Sequence, residues 1–87
     1  YNDQCAHGAI LALLGDGLIP GRDMLVVGCD NSAIASSRAL SLTSIDRAPA
    51  RVASLAVDQA IARALGDDDR PSRRSVDTEL VVRASTG

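Results

Sequence analysis

Asp30 is the side chain best placed for chemistry. It lies at the end of MLVVGCDN, in which Met24, Leu25, Val26, Val27 and Gly28 form an unbroken apolar or small run. Such a run reads as a strand covered on both faces, as in a parallel sheet, although one turn of buried helix has the same composition. Pro20 and Gly21 before the run and Gly28 at its end favour the strand, expected over Met24–Gly28. Ligands of open α/β sheets gather outside the carboxyl ends of the strands. Asp30 would therefore bring a carboxylate to a crevice. The other reading makes Asp30 a cap of the next turn, together with Asn31 and Ser32. The residues themselves leave both readings open.

Other reactive types are sparse. His7 has no second ligand or nucleophile in view and reads as a solvent or interface residue. Cys5 and Cys29 match no metal or redox spacing. Both sit in apolar contexts that suggest buried, reduced thiols. Asp46 and Asp58 fall on different turns and do not make a paired-carboxylate site. No Gly-rich phosphate loop, metal-ligand cluster or nucleophile–base pair has a telling spacing. The residues thus point away from an enzyme, and no cofactor is implied.

The elements that must position Asp30 follow in order. Asn2 or Asp3 can cap a helix over about Gln4–Leu14. Ala6, Ala9, Ile10, Leu13 and Leu14 form its expected core stripe. His7 and Leu11 lie together on a flank, where Leu11 reads equally as an ordinary exposed leucine or as part of a partner surface. Gly15 or Gly17 can end the helix, and Pro20 blocks a restart. After the strand, Asn31–Ser41 reads as a loop with one short helical turn at Ile34–Arg38. Leu42–Ile45 is β-prone. Asp46 can cap a second helix, with Pro49 in its first turn. That helix is expected to run to about Leu65, with a wide apolar arc, and to end at Gly66. Asp67–Ser75 reads as a solvated loop. Val76–Ala84 carries the buried-strand signal Leu80-Val81-Val82, and Ser85-Thr86-Gly87 reads as a frayed end.

Composition sets limits. The 87 residues make one small domain at most, and 46% hydrophobic with 23% charged is a globular balance. With one Tyr and neither Phe nor Trp, each buried residue contributes little apolar area, so an isolated core is weak. The net charge of −2 gives no general field for nucleic acid. No run reaches transmembrane length and there is no signal peptide. The chain opens on Tyr1-Asn2-Asp3 without a starting Met, which suggests a fragment.

Taken together, the segments resemble the carboxyl-terminal end of the lactose-repressor (LacI) family of bacterial transcriptional regulators. The matching pieces are YND before Ala6, Gly8 and Ala9; Gly17 with Ile19-Pro20; Asp23 before LVVGCDN; LTSI; the helix holding Ala56; and ELVVRAST. The resemblance spans nearly the whole chain. It implies an α/β fragment of a periplasmic-binding-protein-like (type I) doubly wound fold. In that fold two subdomains flank a ligand cleft and the chain crosses between them three times. Residues 1–87 would be the carboxyl-terminal part of the effector-binding domain, without the amino-terminal helix-turn-helix.

The resemblance also implies roles. Asn2 matches the family's Ala-Asn-Asp motif, and Asp30 matches the first acid of its Gly-aromatic-Asp-Asp motif. Both usually bond polar groups of the effector. Arg47 stands where Gln is common and faces the cleft; as a bare residue it reads equally as a surface arginine at a helix start. Family dimers would use His7 and Leu11 on the first helix and Ile34 and Arg38 in the loop. Cys29 replaces the usual aromatic, Asn31 the second acid, Leu40-Ser41 a Pro pair and Tyr1 a small residue. These departures bear on the effector more than on the fold. Past Ile45 the chain should enter the first subdomain, pack the helix Pro49–Leu65 there and return through Glu79–Arg83. Leu42–Ile45 and Leu80–Arg83 should then pair antiparallel.

The implied protein is a cytoplasmic homodimeric regulator. It senses a small molecule, with a carbohydrate expected, and meets operator DNA only through the missing domain. A fragment of a periplasmic sugar-binding transport protein is the alternative.

Overall fold

The computed structural model describes residues 1–67 and 73–87. The part of the expected Asp67–Ser75 loop at 68–72 lies outside the described residues. The chain divides into two compact units: Tyr1–Arg47 with Thr78–Gly87, and Ala48–Asp77.

The first unit is α/β. Helix α1 spans Asp3–Gly15. Asn2 is its cap, and its side-chain oxygen accepts from the Cys5 N–H at 2.9 Å. At the other end Gly17, with φ +76, reverses the chain. Leu18 N–H then reaches Leu13 O at 2.9 Å and Gly17 N–H reaches Leu14 O at 3.1 Å, a Schellman ending that uses Gly17 rather than Gly15.

Three short strands form the sheet: β1 at Val27–Cys29, β2 at Thr43–Asp46 and β3 at Glu79–Val81. β2 lies in the middle, parallel to β1 and antiparallel to β3, with Ile45 opposite Leu80. The antiparallel return expected from the resemblance is therefore present. The core joins Ala6 and Ile10 of α1 to Ala35 and Leu42. Gly28 lets α1 approach: a Cβ there would stand 2.2 Å from Asp3 Oδ1 and 2.8 Å from Leu42 Cδ2.

Several expectations are corrected, and most share one cause: a sheet this narrow covers little. Of the apolar run only Val27 and Gly28 pair as a strand, together with Cys29; Met24 instead bridges Pro20. β1 is an edge, so Met24, Leu25 and Val27 are exposed rather than covered on both faces. Leu80 and Val82 are likewise exposed. On α1, Ala6 and Ile10 are buried and Leu13 half-buried, while Ala9 and Leu14 face outward. Cys5 is exposed, not buried; Cys29 is half-buried, and both thiols are free. Ile34–Arg38 forms a chain of turns instead of a helical turn, as in the Ser37 N–H to Ile34 O bond.

The carboxyl end is also corrected. Ala84–Thr86 is a 3-10 turn, not a frayed tail. Ser85 is only 1% exposed. Its Oγ accepts from Thr43 N–H at 2.8 Å and donates to Val26 O at 2.7 Å. It thereby joins the sheet to the segment before β1.

The second unit holds helix α2, Pro49–Ala64. Its cap is Ala48 at φ 51, without a side-chain cap bond, and not Asp46. Asp46 is the last residue of β2. Pro49 at the first position lacks the N–H that would need a partner. The helix ends before Gly66, as expected. Ala62 is its buried residue, and Val52, Val57 and Ile61 are exposed.

Candidate functional site

β1 delivers the chain to Asp30 at φ 103 and Asn31 at φ 48. Two successive non-glycine residues with positive φ cost about 1–3 kcal/mol each and persist only where the surroundings enforce them. Here they do. Asp30 N–H donates to Ile45 O at 2.8 Å, extending the parallel pairing. Asn31 N–H donates to Ser44 Oγ at 2.9 Å.

The turn that follows is held by Asp3. Its Oδ2 accepts from Ser32 N–H at 2.7 Å and from Ser32 Oγ at 2.9 Å, and its Oδ1 accepts from Ser44 Oγ at 2.6 Å. The buried Asp3 thus performs the capping that Asp30 would otherwise supply. Among the described residues, the partners of the Asp30 carboxylate are the Arg47 guanidinium and the Cys29 thiol, and no main-chain N–H of the turn donates to it. The Asp30 carboxylate thus does not cap the turn, and its side-chain partners are an exposed arginine and a thiol.

Asn2, Asp3, Gln4, Asp30, Ser32, Ala33 and Ile34 line an open depression of about 390 Å³. Asn2 spends its oxygen on the helix cap and keeps its NH2 group for donation. Asp30 offers acceptors, and Ser32 a hydroxyl. A polyhydroxylated molecule presents both complements. Arg47 reaches the same carboxylate from the end of β2 with an exposed side chain. So the structure brings Asn2 and Asp30 to one depression and sets Arg47 beside Asp30.

The electrostatics follow from these contacts. Burial pushes the Asp3 carboxyl up, but the hydrogen bonds from Ser44 and Ser32 and the charge of Arg83 outweigh it, leaving the pKa below its usual value. The hydrogen bond and charge of Asp30 raise the Arg47 pKa, so its cation persists at any ordinary pH. No group of three His, Cys, Asp or Glu among the described residues is arranged to hold a metal ion.

The residues expected at a partner surface fall on two elements. His7 is half-buried and Leu11 exposed on α1; Ile34 is half-buried and Arg38 exposed in the loop. Ile34 shares the depression with Asn2 and Gln4, so the loop lies against the start of α1. Sequence reasoning missed Asp3, Ser44 and Ser85 as organisers. Small polar residues so far apart in sequence carry no periodic signal.

Against known proteins, a model described as a periplasmic binding protein-like domain matches residues 1–86. The chain belongs to that family. Among solved members of known fold, the Lac repressor dimer bound to operator and the anti-inducer ONPF is 30% identical, with a TM-score of 0.87 over 98% of this chain and 26% of that chain. The Lac repressor bound to ONPG in its repressed state gives the same values: 30%, 0.87, 98% and 26%. A LacI-family transcriptional regulatory protein from Corynebacterium glutamicum is 28% identical, with a TM-score of 0.79 over 97% of this chain and 33% of that one. This periplasmic binding protein-like chain therefore spans roughly a quarter to a third of each structure it matches. No curated protein matches it. The LacI-type resemblance and the α/β fold class are both borne out. The matched proteins are named as a repressor and as a transcriptional regulatory protein. No helix among the described residues is long and apolar enough to cross a membrane.

Proposed function

We propose that residues 1–87 are the carboxyl-terminal, effector-sensing and dimerising part of a LacI-type regulator, whose DNA contact belongs to a helix-turn-helix outside this sequence. The effector is a small molecule, with a carbohydrate expected, bound by Asn2, Asp30 and Arg47. In the full regulator its binding would shift the closure of the effector domain's two subdomains, and so the dimer geometry that sets operator affinity. Dimer contact falls to His7, Leu11, Ile34 and Arg38, and the cytoplasm is the expected compartment. The observation that carries this reading is the Asp30 carboxylate. It is held in a strained turn at the end of β1, relieved of capping by Asp3, and opens on a depression it shares with Asn2.

Names of the matched structures support the regulator over a periplasmic sugar-transport protein, which the same family model would also fit. Calorimetric titration of the full regulator with a panel of hexoses, pentoses and their glycosides tests the site. Asp30→Ala removes a charge-assisted hydrogen bond and should weaken the binding sugar by roughly 1.5–3 kcal/mol. Equal affinity in the variant would remove Asp30 from the site.

A further inference from the structure

We infer that Asn31 is a positioning residue, which orients both Asp30 and Arg47 by closing a four-residue ring with Asp46. Asn31 Nδ2 donates to Asp46 Oδ2 at 3.0 Å. Arg47 follows Asp46 in the chain and bonds Asp30, which precedes Asn31. Two covalent links and two polar ones therefore join Asp30, Asn31, Asp46 and Arg47 into a closed circuit. The other end of the Asn31 amide is also held. Its Oδ1 accepts from Arg83 Nη2 at 2.8 Å, and Arg83 Nη1 donates to Leu42 O at 2.8 Å. Asn31 is thus gripped from the end of β2 and from the segment after β3, besides its own N–H on Ser44.

Chemistry selects asparagine at this place. Asp46 requires a donor and Arg83 an acceptor, and a primary amide carries one of each on a single short side chain. Asparagine also tolerates the left-handed backbone at φ 48 better than most residues. A carboxylate at this position would still accept from Arg83 but would meet Asp46 as a like charge. Exchanging the two types, amide for acid, would rebuild the bond with the donor on the other side.

The inference rests on the proposed function only in assigning Asp30 and Arg47 to the effector, and its test needs no effector. Amide hydrogen exchange is followed by NMR on the full chain, comparing Asp30 N–H with Ile10 N–H inside α1. At pH 7, N31D should speed exchange at Asp30 at least tenfold and leave Ile10 unchanged. The defect should shrink as pH falls through the carboxylate range, and N31D/D46N should restore protection. N31G accepts the backbone conformation but has no side chain to hold. It should fold, yet lose the Asp30 protection by a similar factor, which keeps the test decisive if N31D folds poorly. Unchanged Asp30 exchange in N31G, equal loosening of Ile10, or no restoration in N31D/D46N would each overturn the proposal. Such a failure leaves the titration of Asp30→Ala unaffected, so the two readings fail separately.

Discussion

Ser44 Oγ donates to Asp3 Oδ1 at 2.6 Å across 41 residues of sequence. The same carboxylate takes both the N–H and the hydroxyl of Ser32. One buried anion therefore joins the start of α1, the turn after β1 and the middle of β2. Asp3→Ala would leave these donors without an acceptor in a dry place, at a cost of about 3 kcal/mol. Asp3→Asn keeps one acceptor oxygen and should lose about half of that. Urea unfolding of the three chains measures the difference.

The same residue sets an acid limit. Its pKa is lowered in the folded chain, because the Ser44 and Ser32 hydrogen bonds outweigh the effect of burial. The unfolded chain therefore binds this proton more tightly than the folded one. The stabilisation is complete above the unfolded carboxylate value of about 3.9 and is lost as pH falls through the folded value. Thermal midpoints of the native chain should drop more steeply below about pH 4 than those of Asp3→Asn. Parallel curves would show that Asp3 does not carry the linkage.

Ser85 closes the other side of the sheet. Its hydroxyl serves Thr43 N–H and Val26 O together, at 2.8 and 2.7 Å. Ser85→Ala should cost roughly 1–3 kcal/mol, because a buried N–H and a carbonyl lose their partner. Ser85→Thr tests shape rather than chemistry, since it keeps the hydroxyl and adds a methyl. Chemical denaturation of both variants separates the two effects.

Assembly follows from the uncovered apolar area. Val27 on β1 is 49% exposed and Val82 after β3 is 68% exposed. In the other unit, Leu65 is 81% exposed and α2 buries only Ala62. Each such surface left in water forgoes about 25 cal/mol per Å², and among the described residues β1 presents an unpaired edge besides. Sedimentation at micromolar concentration should show self-association, with Leu11→Glu weakening it. A monomer that unfolds cooperatively would contradict this expectation.

Local features of the site were legible from residue types alone. Asn2 caps α1 because its short side chain reaches back to the free N–H groups of the first turn. Gly17 and Gly66 mark helix ends because they accept positive φ. The position of Asp30 at a strand end followed from the apolar run before it, and the family motifs gave the antiparallel return of β3. All of these depend on neighbours a few residues away or on a pattern of short motifs.

Only the tertiary structure decided which carboxylate is enclosed by serines and which lines the depression without capping the turn. Asp3 and Asp30 are the same residue type, each beside an asparagine. Asp3 is consumed by serines brought to it by the fold, while Asp30 meets the head of an exposed arginine. Hydrogen bonds between short polar side chains act over about 3 Å, and no sequence period encodes which distant pair comes that close. The apolar pattern of Met24–Gly28 and Leu80–Val82 failed for a related reason. Periodicity marks the side of an element that suits burial, but whether another layer lies over it is a property of the assembled fold.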